Sequence, residues 1–210
     1  MQKQIAKLVA GMRITTSTDI RRGSWILPNS DTQLATSALL ISGNDIVVDF
    51  NGSTIRGTAP NIEPDMRVGT GIIVLGKNVT LRNLNIHGYK VAVAALGADG
   101  LVLENINASY NWKQHLLSTD EKEDLADWMS YHQNEKDEWL RYGAAFYLRD
   151  SNDFTVRRCR ARGGQNGLMM TRCDRGTIHH NDFSFLSSLG IGMYRSCWNS
   201  ILHNKIDWCV

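Results

Sequence analysis

Five segments of the chain, NVTLRNLNIHG, GLVLENINASY, FTVRRCRARGG, GTIHHNDFSFL and NSILHNKIDWC, superimpose on one pattern of apolar and polar positions. Their equivalent apolar residues are Leu81, Leu103, Val156, Ile178 and Ile201, separated by 22, 53, 22 and 23 residues. The 53-residue gap equals one period plus a 31-residue insertion. An earlier, looser copy, DIVVDFNGSTIRG, carries Val48 at the same place, and the loop TAPNIEPDMRVG absorbs its longer spacing of 33 residues. Within each copy, short alternating apolar runs are strand chemistry, and the Asn, Gly, Ser and Asp that break them are turn chemistry. Isolated hairpins would show no fixed period, so each copy predicts one coil of a solenoid.

The predicted fold is all-β: a single domain over residues 1–210, built as a right-handed parallel β-helix of about six rungs. Stacking equivalent residues at roughly 4.8 Å lets Asn83 ladder with Asn105, and Asn181 with Asn204. His180 and His203, 23 residues apart, fall in the turn column that Asn83 and Asn105 occupy elsewhere. A shared metal there lacks an evident further ligand, and a turn role is the plainer expectation. Residues 1–13 read as an N-terminal cap, with Ile5, Leu8, Val9 and Met12 spaced for an amphipathic turn or two.

From 111 to 142 the period stops. Ser118 with Glu121 has the spacing of a capping box, and Leu125, Trp128, Met129 and His132 keep a helical spacing. A second helical stretch is expected from about Asn134 to Tyr142, ended by Gly143. The insertion therefore predicts a helical side wall, with Trp112, Trp128 and Trp139 bracing it to the coil.

The strands GAAFYLRDS, NGLMMTRCD and LGIGMYRSC add a candidate face. Alternation turns Phe146, Leu168 and Ile191 inward, and Leu148, Met170 and Met193 two places on. The outward row then holds Tyr147 and Met169, followed by Arg149, Thr171 and Tyr194, with Asp150, Arg172 and Arg195 at its edge. Arg172 and Arg195 sit one rung apart, and stacked guanidinium groups invite an anion unless Asp150 and Asp174 neutralise them. With Tyr147 and Tyr194 available to stack on sugar rings, the face suits an acidic polysaccharide.

β-Elimination there would draw on Arg195, Tyr194, Lys113 and His132 for the base and the neutralising charge, with Gln165 and Asn166 as amides. Hydrolysis would require two carboxylates roughly 5 to 5.5 Å apart for retention or 6.5 to 9.5 Å for inversion, for which Asp150 with Asp174 is the nearest pair and Asp182 with Asp207 a weaker one. The substrate-binding set is Arg149, Arg172, Tyr147, Gln165 and Asn166. A carbohydrate-active lyase or hydrolase and a non-catalytic glycan- or protein-binding β-helix both remain open.

Composition narrows this only a little. A hydrophobic content of 42%, 21% charged residues and a net charge of +2 give neither the basic face nucleic acid demands nor any run of roughly 20 apolar residues for a membrane span. Cys159, Cys173, Cys197 and Cys209 lack zinc-site spacing and are expected to be small buried residues. The first segment, MQKQIAKLVAGM, has no signal-peptide core. No cofactor is evident, and no motif supports Ca2+.

At these rungs the chain resembles the right-handed β-helix repeat family that includes pectate lyases, alginate epimerases and NosD-type periplasmic proteins, over roughly residues 14–210. The insertion YNWKQHLLSTDEKEDLADWMSYHQNEKDEWLRYG, with QNGLMM and NDFSFLSSLGIGMYRS, is similar to a group of bacterial β-helix repeat proteins. The resemblance implies polysaccharide handling and an extracellular or periplasmic location. The Asp-Pro-His-Asp cluster of the epimerases is absent where this chain has GIGMYRS, as are the clustered aspartates with which pectate lyases hold calcium. Family members usually continue for further rungs, so an exposed apolar C-terminal end, open to self-association or a partner, is expected beyond IDWCV.

Overall fold

The computed structural model describes residues 4–31, 34–127 and 142–209, and in them sixteen strands follow one another. They are β1 (Gln4–Ala6), β2 (Met12–Ile14), β3 (Thr18–Ile20), β4 (Ser24–Ile26), β5 (Leu39–Ile41), β6 (Val47–Arg56), β7 (Thr70–Val74) and β8 (Thr80–His87). Then come β9 (Val91–Leu96), β10 (Val102–Asn107), β11 (Ala144–Arg149), β12 (Thr155–Arg157), β13 (Leu168–Thr171), β14 (Thr177–His179), β15 (Ile191–Tyr194) and β16 (Ser200–Leu202). One sheet runs β1-β3-β6-β8-β10-β12-β14-β16, with β4 also on β6, and the other runs β15-β13-β11-β9-β7-β5-β2. A third row of parallel bridges joins Asn107, Arg160, Asp182 and Lys205. Neighbours in space are one period apart in sequence and parallel, which is a parallel β-helix, wound with the right hand that parallel crossovers take.

The register follows the sequence pattern residue by residue. Val48, Leu81, Leu103, Val156, Ile178 and Ile201 are consecutive partners in one sheet. Phe146, Leu168 and Ile191, and Leu148, Met170 and Met193, are partners in the other. All but the last member of each series lie in one continuous buried core. Met193 and Ile201, in the final coil, are 49% and 39% exposed.

Three expectations are corrected. Residues 4–14 form β1 and β2, the first coil, in place of amphipathic helical turns, because their backbone pairs with β3 and β5. Seven strands stack in the second sheet, in line with the repeat's estimate of about six rungs. In the insertion, the described residues 111–127 contain a single 3-10 turn at Leu125–Asp127 and no α-helix. Ser118 accepts the Asp124 N–H (2.9 Å), and the Asp127 carboxylate accepts the N–H groups of Leu117 and Ser118, so side chains take the groups a helix would use. Trp128, Met129, His132 and Trp139 lie outside the described residues. Trp112 does brace, its Nε1 donating to the Asp65 carbonyl (2.9 Å) under the Lys90 ammonium. Cys159 and Cys173 are buried, but Cys197 is exposed.

Both asparagine ladders form, in different columns. Asn105 Nδ2 donates to Asn83 Oδ1 (2.8 Å) on the outside of the bend, where Asn51, Asn83, Asn105, Arg158, His180 and His203 all have φ between 51° and 59°. That left-handed conformation is tolerated best by Asn, which explains the turn composition. One place later the chain points inward again. There the buried Asn181 donates to Asn204 Oδ1 (2.9 Å) and to the Val156 carbonyl (2.9 Å), and accepts the Cys159 N–H (2.8 Å).

Candidate functional site

The face expected on the second sheet is in register but is largely spoken for. Tyr147 and Met169 point away from the core as predicted, yet both are fully buried in a second apolar cluster with Ile73, Val91, Ala94 and Ala144, against which Leu34 packs. Tyr147 therefore presents no ring to a sugar. Gln165 and Asn166 are buried turn residues: Gln165 Oε1 accepts from the Gln114 N–H and Ser187 Oγ, while Asn166 bonds the Gly143 carbonyl and the Leu189 N–H. Their amides hold the coil instead of facing a ligand.

Asp150, Arg172 and Arg195 each directly follow a strand and share positive φ values of 51°, 51° and 48°. Arg172 clasps Asp150 through both nitrogens (2.5 and 3.0 Å), with Arg149 Nε at 3.7 Å. The Arg172 hydrogen bonds hold the Asp150 carboxyl below the usual range. Asp174 accepts the Cys197 N–H (2.6 Å). Arg195 lies over the neighbouring Tyr194 ring (5.3 Å). Lys113 follows Trp112, whose carbonyl accepts the Gln165 N–H at the opposite end of these strands, so about six residues, or about 20 Å, separate it from Arg195. His132 lies outside the described residues. The expected constellation of Arg195, Tyr194 and Lys113 is not brought together.

A different site emerges at the bend. Where each coil turns through its left-handed residue, the first sheet and the bridge row meet in a crease, and a groove of about 550 Å3 runs along it. Its lining carries Arg158, Arg160 and Lys205, the imidazoles of His180 and His203, and the amides of Asn85, Asn105 and Asn107. Asp182 is its one carboxylate among the described residues. Burial opposes the Asp182 charge, but the hydrogen bond from Arg162 and the nearby Arg160 (3.7 Å) keep its carboxyl below the usual range. Glu104, just outside, takes Arg157 (2.9 Å) and Arg158 (3.4 Å).

The histidines adjoin one another here: His179 and His180 approach to 2.9 Å between Nδ1 atoms, and the His180 and His203 rings lie 5.2 Å apart. Burial, the neighbouring imidazoles and Arg157 and Arg158 hold His179 below its ordinary value. Among the described residues no group of three or more His, Cys, Asp or Glu is arranged to hold a metal.

Asn107 also lines a second pocket of about 400 Å3, with Arg56, Arg67, His87 and Tyr110. None of these residues, nor Arg158, Arg160 and Lys205, was singled out from the sequence. The alternating arginines of VRRCRAR and the histidines of the turn column were the available signal.

No described helix is long and apolar enough to cross a membrane. The family model described as right handed beta helix region matches residues 29–209. No curated protein matches the chain.

Proposed function

The chain belongs to the right-handed β-helix family, and we propose that it binds an extended acidic polysaccharide along the crease groove and acts on it by β-elimination. The observation that carries this reading is the lining of the groove: guanidinium, ammonium, imidazole and amide groups stacked rung upon rung, with the Asp182 carboxylate held by arginines and with Arg158 and Lys205 also beside Glu104 (3.4 Å) and Asp207 (3.5 Å) outside the lining. The row from Asn85 through Asn107, Arg160 and Asp182 to Lys205 spans four rung spacings, about 19 Å, enough for several sugars lying along the axis. Guanidinium is the side chain best shaped for a uronate carboxylate, and it supplies the neutralising charge for elimination without a cofactor. Hydrolysis needs a second carboxylate, which the groove lacks among the described residues. A substrate of this kind implies an extracellular or periplasmic site of action.

Affinity electrophoresis in gels containing polygalacturonate, alginate or chondroitin tests the reading. Retardation by at least one of them, weakened about tenfold or more in a variant with Arg158, Arg160 and Lys205 all changed to Gln, is expected, since each charged hydrogen bond contributes about 1.5 to 3 kcal/mol before solvent screening. Equal retardation of the variant, or none of the wild type, overturns it. Binding with no unsaturated product identifies a glycan-binding β-helix without catalysis.

A further inference from the structure

The second pocket differs from the rest of the groove in how its residues are aimed. Arg56 and His87 end β6 and β8 and are direct register partners, so they stand about one strand spacing apart. Arg67 comes from the loop after the 3-10 turn Pro64–Met66 and is pinned by its own donors to the carbonyls of Tyr110 (2.5 Å), Asn111 (3.1 Å) and Ile62 (3.4 Å). The Glu63 carboxylate is near enough to act on Arg67 electrostatically, but no carboxylate among the described residues lines the pocket. Tyr110 is held at φ 56° and exposed, with its ring centroid 6.5 Å from that of His87.

His87 is fixed in one tautomer. Its Nδ1 lies 2.7 Å from the Ser109 carbonyl oxygen, which can only accept, so Nδ1 carries the proton and Nε2 keeps a lone pair. Burial lowers its basicity, the Ser109 bond partly restores it, and Arg56 and Arg67 lower it again. The imidazole is therefore neutral near pH 7, the state a base requires.

We propose that this pocket is the elimination centre of the groove, with His87 as base, Tyr110 as acid, Arg56 as the group that binds the uronate carboxylate, and Arg67 fixing the Tyr110 backbone beside it. The assignment rests on the acidic-polysaccharide reading above. His87 Nε2 takes the proton from the carbon bearing the carboxylate, and that electron pair becomes the new C=C bond. The adjacent C–O glycosidic bond breaks, and its oxygen takes the Tyr110 hydroxyl proton. The imidazolium returns its proton to the tyrosinate through solvent, so nothing is consumed. The Arg56 guanidinium holds the carboxylate as charge builds on it, with the Arg67 charge nearby, the interaction that strengthens in the transition state.

The test is the absorbance of the new unsaturated uronate with polygalacturonate, alginate and chondroitin, run beside the electrophoresis above. Product is expected from at least one of them. His87→Gln should lower kcat by about 100- to 10,000-fold with little change in KM, whereas Arg56→Gln should raise KM as well as lower kcat. The kcat profile of the wild type should fall at acid pH as His87, facing Arg56, Arg67 and the Ser109 carbonyl, takes a proton. Tyr110→Phe should lower kcat while retaining binding. A folded His87→Gln protein with a rate within a few-fold of wild type overturns the assignment. Retardation without any unsaturated product overturns the elimination centre while leaving the binding groove standing; loss of retardation in the wild type removes the groove itself.

Discussion

Replacing Asn181 with alanine removes three side-chain hydrogen bonds from the coil, two of them fully buried. The side chain is buried, accepts the Cys159 N–H at 2.8 Å, and donates to the Val156 carbonyl and Asn204 Oδ1 at 2.9 Å each. Asn204 Oδ1 keeps another donor, the Asn181 backbone N–H, so its loss is small. The Cys159 N–H and the Val156 carbonyl lose a partner in a region water does not reach. At about 1 to 3 kcal/mol for each group left unsatisfied, Asn181→Ala should cost about 2 to 6 kcal/mol. Asn105→Gly, in the outer column, loses an exposed bond to Asn83 that solvent can replace and gains a residue content with φ of 51°, and should cost under about 1 kcal/mol. Urea unfolding followed by circular dichroism measures both, and hydrogen exchange of the Cys159 amide, accelerated only in the Asn181 variant, localises the effect. Equal costs for the two variants would refute the division of the ladders into a buried column and a solvated one.

The Asp150 carboxyl is held low by Arg172, so the pair stabilises the fold above the unfolded aspartate value near 3.9 and ceases to as pH falls through the folded value. Both partners are well exposed, so Arg172→Gln should cost under about 1 kcal/mol at neutral pH, and urea titrations should show the difference closing on acidification; a difference that persists there excludes the pair as its source. Burial pushes the Cys159 thiol up to about 12 and the Cys173 thiol to about 11, whereas Cys197 is exposed. Maleimide at mildly alkaline pH should therefore label Cys197 in the folded protein while Cys159 and Cys173 wait for denaturant, and peptide mapping that finds Cys159 labelled first contradicts the packing.

The coil was legible in the sequence because its physics is periodic. Leu81, Leu103, Val156 and Ile178 recur since each must fill the same place above the last, and the Asn83–Asn105 and Asn181–Asn204 spacings recur since amides bond best when stacked in register. What lay on the outside was legible only in direction. Alternation correctly turns Tyr147 away from the core, but it carries no information on whether Leu34, over a hundred residues earlier, returns to cover that surface. The insertion misled for a related reason: Ser118, Thr119 and Asp127 have side chains that bond backbone N–H groups equally well in a cap or in an irregular loop.

The groove was hidden by the very regularity that revealed the fold. A turn column needs residues that tolerate left-handed backbone, and Asn83 and Asn105 satisfy that need and account for themselves. Arg158 sits in the same column without that intrinsic preference at φ of 53°, beside His180 and His203 at 57° and 55°. An arginine placed where asparagine is the easier choice costs backbone strain of about 1 kcal/mol or more. Its guanidinium and the two imidazoles are what the column presents to the groove. Departures from the turn composition, more than the repeats themselves, are where a periodic sequence of this kind displays its chemistry.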